Sequence, residues 1–134
     1  MTVVRKILFG LLFAAAFAVI ATIPGSGLAE DSDMTPAKAY ELMKKNSSTV
    51  LLDVRTPAEF NEGHVENAVN VDYLASDFKD KVSKLDKTKT YLLVCRSGKR
   101  SKGAQEVMLS LGFKKVINVS GGMNAWRSNN VPLK

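Results

Sequence analysis

The chain contains 134 residues, of which 46% are hydrophobic and 24% are charged, and it carries a formal net charge of +6. This length predicts a single domain. One cysteine and one histidine exclude an internal disulfide framework and a structural zinc site. The basic residues are interspersed with acidic ones and no aromatic-basic platform is present, so we expect no nucleic-acid binding.

The first segment of the chain is a strongly apolar run, residues 7–23, which follows two basic residues and leads to the small-x-small boundary Gly27-Leu28-Ala29. This pattern predicts a signal peptide at residues 1–29 and a domain at residues 30–134. The domain is then expected in the periplasm or outside the cell. The run is also just long enough to span a bilayer as an uncleaved anchor, and only in that case would we expect the protein to associate with a membrane.

After the apolar run, helix signals alternate with short β-branched runs, which favours an α/β fold with a mostly parallel sheet. Thr35 and Thr56 each precede a proline and predict helix N-caps. The most apolar strand, residues 90–95, shows no alternation and should be central, with helices on both faces. The predicted elements in chain order are helix 37–45, strand 49–54, a helix from 57 to near 63, strand 68–71, helix 76–85, strand 90–95, helix 102–111, strand 116–119 and helix 123–129.

Charged residues follow two of these strands, at the sheet edge where parallel sheets bind ligands. The stronger signal is Cys95, at the end of the central strand and before a glycine-containing loop and a helix. Backbone N–H groups and the helix dipole converge at such a position and, together with nearby cations, favour a thiolate over a thiol. These cations are Arg96, Lys99, Arg100 and Lys102. The pattern therefore predicts a nucleophilic sulfur and an anionic substrate.

Three separated motifs carry a resemblance to a known family. The loop Cys95-Arg96-Ser97-Gly98-Lys99-Arg100-Ser101 resembles the active-site loop of rhodaneses, the single-domain sulfurtransferases. Leu52-Asp53-Val54-Arg55, with Glu59-Phe60 and the segment 63–70, is similar to the N-terminal signature of that family. Gly121-Gly122-Met123-Asn124-Ala125-Trp126 resembles the C-terminal one. The matches span residues 50–126, and a short domain behind a signal peptide resembles the exported phage-shock-protein-E type.

The resemblance implies a three-layer rhodanese-like fold, with a sheet of four to five strands, and a reaction through a persulfide. Cys95 would attack the outer sulfur of thiosulfate and release sulfite, and an acceptor such as cyanide or a thiol would remove the sulfur. The loop residues Arg96, Ser97, Gly98, Lys99 and Arg100 would cradle the substrate. No metal or organic cofactor is needed, and the protein is expected to be a monomer. One departure is Asn67, where the family usually has glycine, but asparagine tolerates a left-handed conformation.

Several interpretations stay open at this point. Asp53 and Arg55 lie at a strand end that faces the same edge, and they can either contact substrate or form an ion-paired brace with Glu59 or the loop. His64, the only histidine, fits a packing role better than that of a catalytic base. A persulfide carrier with little turnover of its own is an alternative function. A phosphatase or arsenate reductase is less favoured, because four residues separate Cys95 from Arg100 where the phosphate-binding relatives have five.

Overall fold

The computed structural model describes residues 33–134. In this part of the chain four strands form one sheet, and every pair is parallel. The strands are β1 (Val50–Asp53), β2 (Val69–Asn70), β3 (Thr90–Val94) and β4 (Lys115–Asn118), and they lie in the order β2-β1-β3-β4. The predicted α/β class and the expected four to five strands are therefore confirmed. The predicted signal peptide, residues 1–29, lies outside the described residues.

Helices cover both faces of the sheet, which gives three layers. They are α1 (Pro36–Lys45), α2 (Pro57–Asn61), α3 (Phe78–Ser83), α4 (Lys99–Ser110) and α5 (Gly122–Ser128). Successive strand residues point to opposite faces, so neighbouring leucines enter different cores. Leu52 and Leu93 pack with buried residues of α3 and α4, whereas Leu51 and Leu92 pack with α1 and α5. Within the described residues, no helix is long and apolar enough to span a bilayer.

The strand predicted to be central occupies that place. β3 pairs with β1 on one side and β4 on the other, and its residues from Tyr91 to Val94 are at most 2% exposed. The register aligns Asp53 with Val94, and Asn118 with Leu93. The chain therefore leaves β1, β3 and β4 at one edge of the sheet, and Cys95 is the first residue beyond β3.

The structure corrects one predicted boundary that matters for the site. The helix predicted at residues 102–111 begins three residues earlier, at Lys99. Its N-cap is Gly98, which has a left-handed φ of 102° and makes no side-chain cap. A glycine N-cap is harder to recognise in a sequence than Ser, Thr or Asp. Thr35 and Thr56 are caps of the recognisable kind: as predicted, their side chains accept hydrogen bonds from backbone N–H groups in the first turns of α1 and α2. Lys99 and Arg100 therefore lie in the first turn of α4, not in a loop.

Candidate active site

Cys95 is buried at the carboxyl end of β3, with 1% of its surface exposed. Its Sγ accepts a hydrogen bond from the backbone N–H of Gly98 at 3.1 Å. The Ser101 hydroxyl oxygen lies 3.3 Å from the same sulfur. The loop after β3 and the first turn of α4 thus curl around the sulfur and direct donors at it.

These donors determine the ionisation of the thiol. Burial raises the pKa of Cys95, because it removes water from the charged form. Hydrogen bonds from the Ser101 hydroxyl and from the backbone N–H groups of Ser101, Gly98 and Ser97 oppose burial and outweigh it. The net result is a pKa below the usual value for cysteine, which is the condition for a nucleophilic sulfur at neutral pH.

The N-terminus of α5 holds the same loop from the other side. The Met123 N–H donates to the Cys95 carbonyl oxygen at 2.7 Å, and the Asn124 N–H donates to the Arg96 carbonyl oxygen at 3.0 Å. A Cβ on Gly122 would collide with the Cys95 carbonyl oxygen, so only glycine allows this approach. Because α5 binds the carbonyl groups at the root of the loop, the following N–H groups are left to face the sulfur. This contact explains the second glycine of the C-terminal motif, whereas the first, Gly121, has a φ of 71° and lies against Ala125.

The loop cations fall into two groups. Arg100 forms a bidentate ion pair with Glu59 of α2, with Nη1–Oε1 and Nη2–Oε2 distances of 2.7 and 2.9 Å. Arg96 and Lys99 are exposed, and neither forms an ion pair with a carboxylate in the described part of the chain. Arg100 therefore ties α4 to α2, whereas Arg96 and Lys99 present positive charge to solvent beside Cys95.

Arg55 is placed differently from the loop residues that were predicted to bind substrate. Its guanidinium is 3% exposed and lies 2.6 Å from Asp53, which is fully buried. Nη2 also donates to the Gly63 carbonyl oxygen at 2.9 Å. Arg55 thus joins the end of β1 to the segment after α2, through Nε and Nη2. This geometry favours the brace over substrate contact, but the predicted partners were wrong: Arg55 pairs with Asp53 and the Gly63 carbonyl, and Glu59 pairs with Arg100 instead.

His64 and Asn67 lie in the same N-terminal motif and have local roles. The His64 ring stacks on Phe60 with ring centroids 3.8 Å apart, and its Nδ1 lies 3.0 Å from the Phe60 carbonyl oxygen. The histidine is thus engaged with α2. Asn67 has a φ of 64°, the left-handed conformation expected for a residue in place of glycine.

Two side chains of the site were not singled out from the sequence. Ser101 and Asn118 are buried, and the Ser101 Oγ donates to Asn118 Oδ1 at 2.6 Å. Asn118 ends β4 between apolar neighbours, and a polar residue in an apolar strand is a signal for a buried hydrogen bond. In residues 33–134, no group of three or more His, Cys, Asp or Glu side chains is arranged to hold a metal ion.

The comparison with protein families agrees with this geometry. The rhodanese-like domain family matches residues 35–129. The chain belongs to the rhodanese-like family. The expectation drawn from the three motifs is confirmed at this level, since the match includes β1, the Cys95 loop and α5.

Individual relatives extend the comparison to activity. Thiosulfate sulfurtransferase 16 of Arabidopsis thaliana is 40% identical over 62% of this chain and 78% of its own length. Thiosulfate sulfurtransferase GlpE of Pseudomonas putida is 32% identical over 75% of this chain and 89% of its own. A rhodanese-related protein from Thermoplasma volcanium has a crystal structure that superposes with a TM-score of 0.68 at 30% identity, covering 76% of this chain and 96% of the other. These rhodanese-like relatives support sulfur transfer as the general chemistry of the chain.

The Glu59–Arg100 ion pair should make the free energy of unfolding depend on pH in the acid range. The Arg100 hydrogen bonds, with smaller help from Thr56, outweigh partial burial and lower the pKa of Glu59 to about 2. A carboxyl group whose pKa is lower in the folded than in the unfolded protein stabilises the folded state. This stabilisation is complete at pH values above the unfolded pKa, near 4.5, and is lost as the pH falls toward 2. We expect Glu59→Gln to cost about 1–2 kcal/mol of unfolding free energy at pH 7 and progressively less below pH 4.5.

Urea unfolding of wild type and variant between pH 7 and pH 2 measures this difference. Glu106→Gln, at an exposed position on α4, controls for the loss of one negative charge. A Glu59→Gln penalty that stays constant across this pH range would contradict the assigned ion pair.

Proposed function

We propose that this rhodanese-like protein is an exported thiosulfate sulfurtransferase of the phage-shock-protein-E type. It would move sulfane sulfur through a Cys95 persulfide to a thiophilic acceptor such as cyanide or a thiol. The observation that carries the proposal is the environment of Sγ, with the Gly98 N–H at 3.1 Å and the Ser101 hydroxyl at 3.3 Å. Donors aimed at a buried sulfur stabilise the anionic forms that the reaction requires.

The proposed reaction has two displacement steps. In the first, the Cys95 thiolate attacks the outer sulfur of thiosulfate, an S–S bond forms to Sγ, and the original S–S bond breaks with its electron pair leaving on sulfite. In the second, cyanide attacks the outer sulfur of the persulfide, the new S–S bond breaks, and thiocyanate leaves with the thiolate restored. The loop N–H groups would face the charged sulfur in the thiolate and in the persulfide.

Charge at the mouth of the site favours a small dianion. Arg96 and Lys99 are exposed in the segment directly after Cys95, and neither is paired with a carboxylate in the described residues, so both can attract thiosulfate. Arg100 is held by Glu59, so its contribution would be to keep the loop in place. The thiosulfate sulfurtransferase names of the relatives support the same donor.

The burial of Cys95 bears on the alternative functions. A thiol with 1% exposure is reached more easily by a small donor or acceptor than by a thiol on a large protein surface, which favours the enzyme over a persulfide carrier. Phosphatase or arsenate reductase chemistry needs donors for three oxygens at once. Here both nitrogen ends of the Arg100 guanidinium are taken by Glu59.

Cys95→Ser and Cys95→Ala test the covalent step. After incubation with thiosulfate, intact-mass spectrometry should show wild type heavier by one sulfur atom and neither variant changed, because Cys95 is the only cysteine. Sulfite release and thiocyanate formation should fall to background in both variants, with thermal midpoints close to that of wild type. Sulfur transfer by a folded variant would refute the persulfide.

The same assay separates the alternatives. Fast multiple turnover with cyanide or a small thiol is the result that we expect from the enzyme. A stable adduct that neither acceptor discharges would support the carrier, and aryl phosphate or arsenate turnover above the sulfur-transfer rate would support the third function.

Export is proposed from the pattern of residues 1–29. In cells that express the full chain, we expect the protein in the periplasm or medium, with an N-terminal sequence that begins at Glu30. N-terminal sequencing of the fractionated protein is the measurement. Intact Met1 in the membrane fraction would indicate an anchor, and intact Met1 in the cytoplasm would contradict export.

A further inference from the structure

The Ser101 hydroxyl lies between two acceptors. Its oxygen is 3.3 Å from Cys95 Sγ and 2.6 Å from Asn118 Oδ1. A hydroxyl has a single hydrogen, so it donates to only one of them at a time. All three residues are at most 3% exposed, which shields them from bulk water. The hydrogen bond that Cys95 gains from Ser101 is therefore one that Asn118 loses.

A second contact fixes the orientation of the Asn118 amide. Nδ2 lies 3.3 Å from the Asp33 carboxylate, which only accepts hydrogen bonds. The same Asp33 oxygen is 3.4 Å from the Lys102 ammonium. With Nδ2 directed at Asp33, the amide presents its oxygen to Ser101. Asn118 is thus an acceptor for the Ser101 hydroxyl and not a donor to it.

We propose that Asn118 is a positioning residue that competes with Cys95 for the single hydroxyl hydrogen of Ser101. In the neutral form, the S–H of Cys95 can donate to Ser101 Oγ while Ser101 donates to Asn118, so every group has a partner. In the thiolate form, Ser101 turns its hydrogen to Sγ and leaves Asn118 Oδ1 without its donor. Leaving a buried acceptor unmatched is unfavourable. Asn118 therefore limits how far the cradle stabilises the thiolate.

The competition also affects the proposed sulfur transfer, and this part of the inference rests on the proposed function. In the persulfide the negative charge is on the outer sulfur, and Sγ is bonded to two atoms and carries none. The Ser101 hydrogen can then return to Asn118. Asn118 would thus favour the thiol and the persulfide over the free thiolate. It would also keep the thiolate more basic, and a more basic thiolate is a stronger nucleophile.

Charged groups also lie on the elements packed around the Cys95 loop, and Arg100 interacts electrostatically with Cys95. They are Arg96 of the loop, Lys99 and Arg100 of α4 with Glu59 of α2, the Asp53–Arg55 pair at the end of β1, Asp72 after β2, and the Asp33–Lys102 pair beside β4. Ser101 and Asn118 variants leave the charges of these groups in place, although Asp33 loses its contact with Nδ2 when Asn118 is replaced. That loss is the same with and without the Ser101 hydroxyl, so comparing the two backgrounds isolates the hydroxyl.

The test is a double-mutant cycle read out as the pKa of the Cys95 thiol. The rate of iodoacetamide alkylation is measured against pH for the purified full chain, for Ser101→Ala, for Asn118→Leu and for the double variant. Asn118→Leu should lower the thiol pKa by about half to one unit, since it frees the hydroxyl for Sγ. Ser101→Ala should raise it by a similar amount. In the Ser101→Ala background, Asn118→Leu should cause no further change.

Controls separate the competition from packing. Asn70→Leu removes an amide at the end of β2 that donates only to the Asp53 and Arg55 carbonyl groups, and it should leave the thiol pKa unchanged. Asp33→Ala is a second variant for the case that Asn118→Leu does not fold, because the Asp33 side chain is 43% exposed and its loss should leave the fold intact. Without Asp33 the Asn118 amide can turn and release the Ser101 hydroxyl. Asp33→Ala should therefore lower the thiol pKa more with Ser101 present than in the Ser101→Ala background.

Two results would overturn the inference. A higher thiol pKa in Asn118→Leu would mean that the amide supports the donor. Equal shifts with and without the Ser101 hydroxyl, for Asn118→Leu or for Asp33→Ala, would mean that neither residue acts through it. The readout does not use thiosulfate, so a protein that shows the expected cycle but no sulfur transfer would refute the proposed function and leave the competition in place.

Discussion

The site depends on one constraint, which is that a sulfur atom shielded from water must be stable as an anion. Burial alone makes the thiolate unfavourable, and in Cys95 the hydrogen bonds of one short loop and of the first turn of α4 reverse that preference. Three of the donors are backbone N–H groups, which no substitution except one to proline removes. A stable thiolate therefore requires a particular backbone conformation of the loop, and most of the surrounding structure holds the loop in that conformation.

Support for the loop comes from three sides of the fold. β3 fixes its start, since its flanking strands and both helix layers leave no freedom at Val94. α5 binds the carbonyl groups of Cys95 and Arg96 from one side. On the other side, Arg100 joins the first turn of α4 to Glu59. Because these supports come from distant parts of the sequence, the motifs that lie far from the cysteine are as necessary to the site as the loop itself.

The fold was predictable from the sequence because its signals are local. Two helices begin where proline follows Thr35 and Thr56. The central strand is the one with uninterrupted apolar residues, β3. Each of these signals can be read from a few neighbouring residues. The start of α4 was predicted too late because Gly98 caps it through backbone conformation and not through a side chain. The donors around Cys95 were also predictable, since its position between a strand and a helix already implies them.

The partners of the charged and polar side chains were not predictable in the same way. Both Arg55 and Arg100 follow strand ends, and the sequence does not say that one is buried against Asp53 while the other reaches Glu59. Such pairings depend on the distance between elements and on which side chain is desolvated. Asn118 and Ser101 illustrate this point, since 17 positions separate them in the chain. The register of β3 with β4, together with the start of α4 directly after β3, brings them together.

Titration of the wild-type thiol tests the role of the donors around Cys95 most directly. Cys95 is the only cysteine, so the pH dependence of iodoacetamide alkylation reports on it alone. Because these donors lower the pKa of Cys95, the rate should be half-maximal at a pH below the usual pKa of a cysteine thiol. Denatured protein, in which the donors are lost, should titrate near the usual value. A native thiol that titrates at or above that value would mean that burial outweighs the donors, and that the site does not stabilise a thiolate.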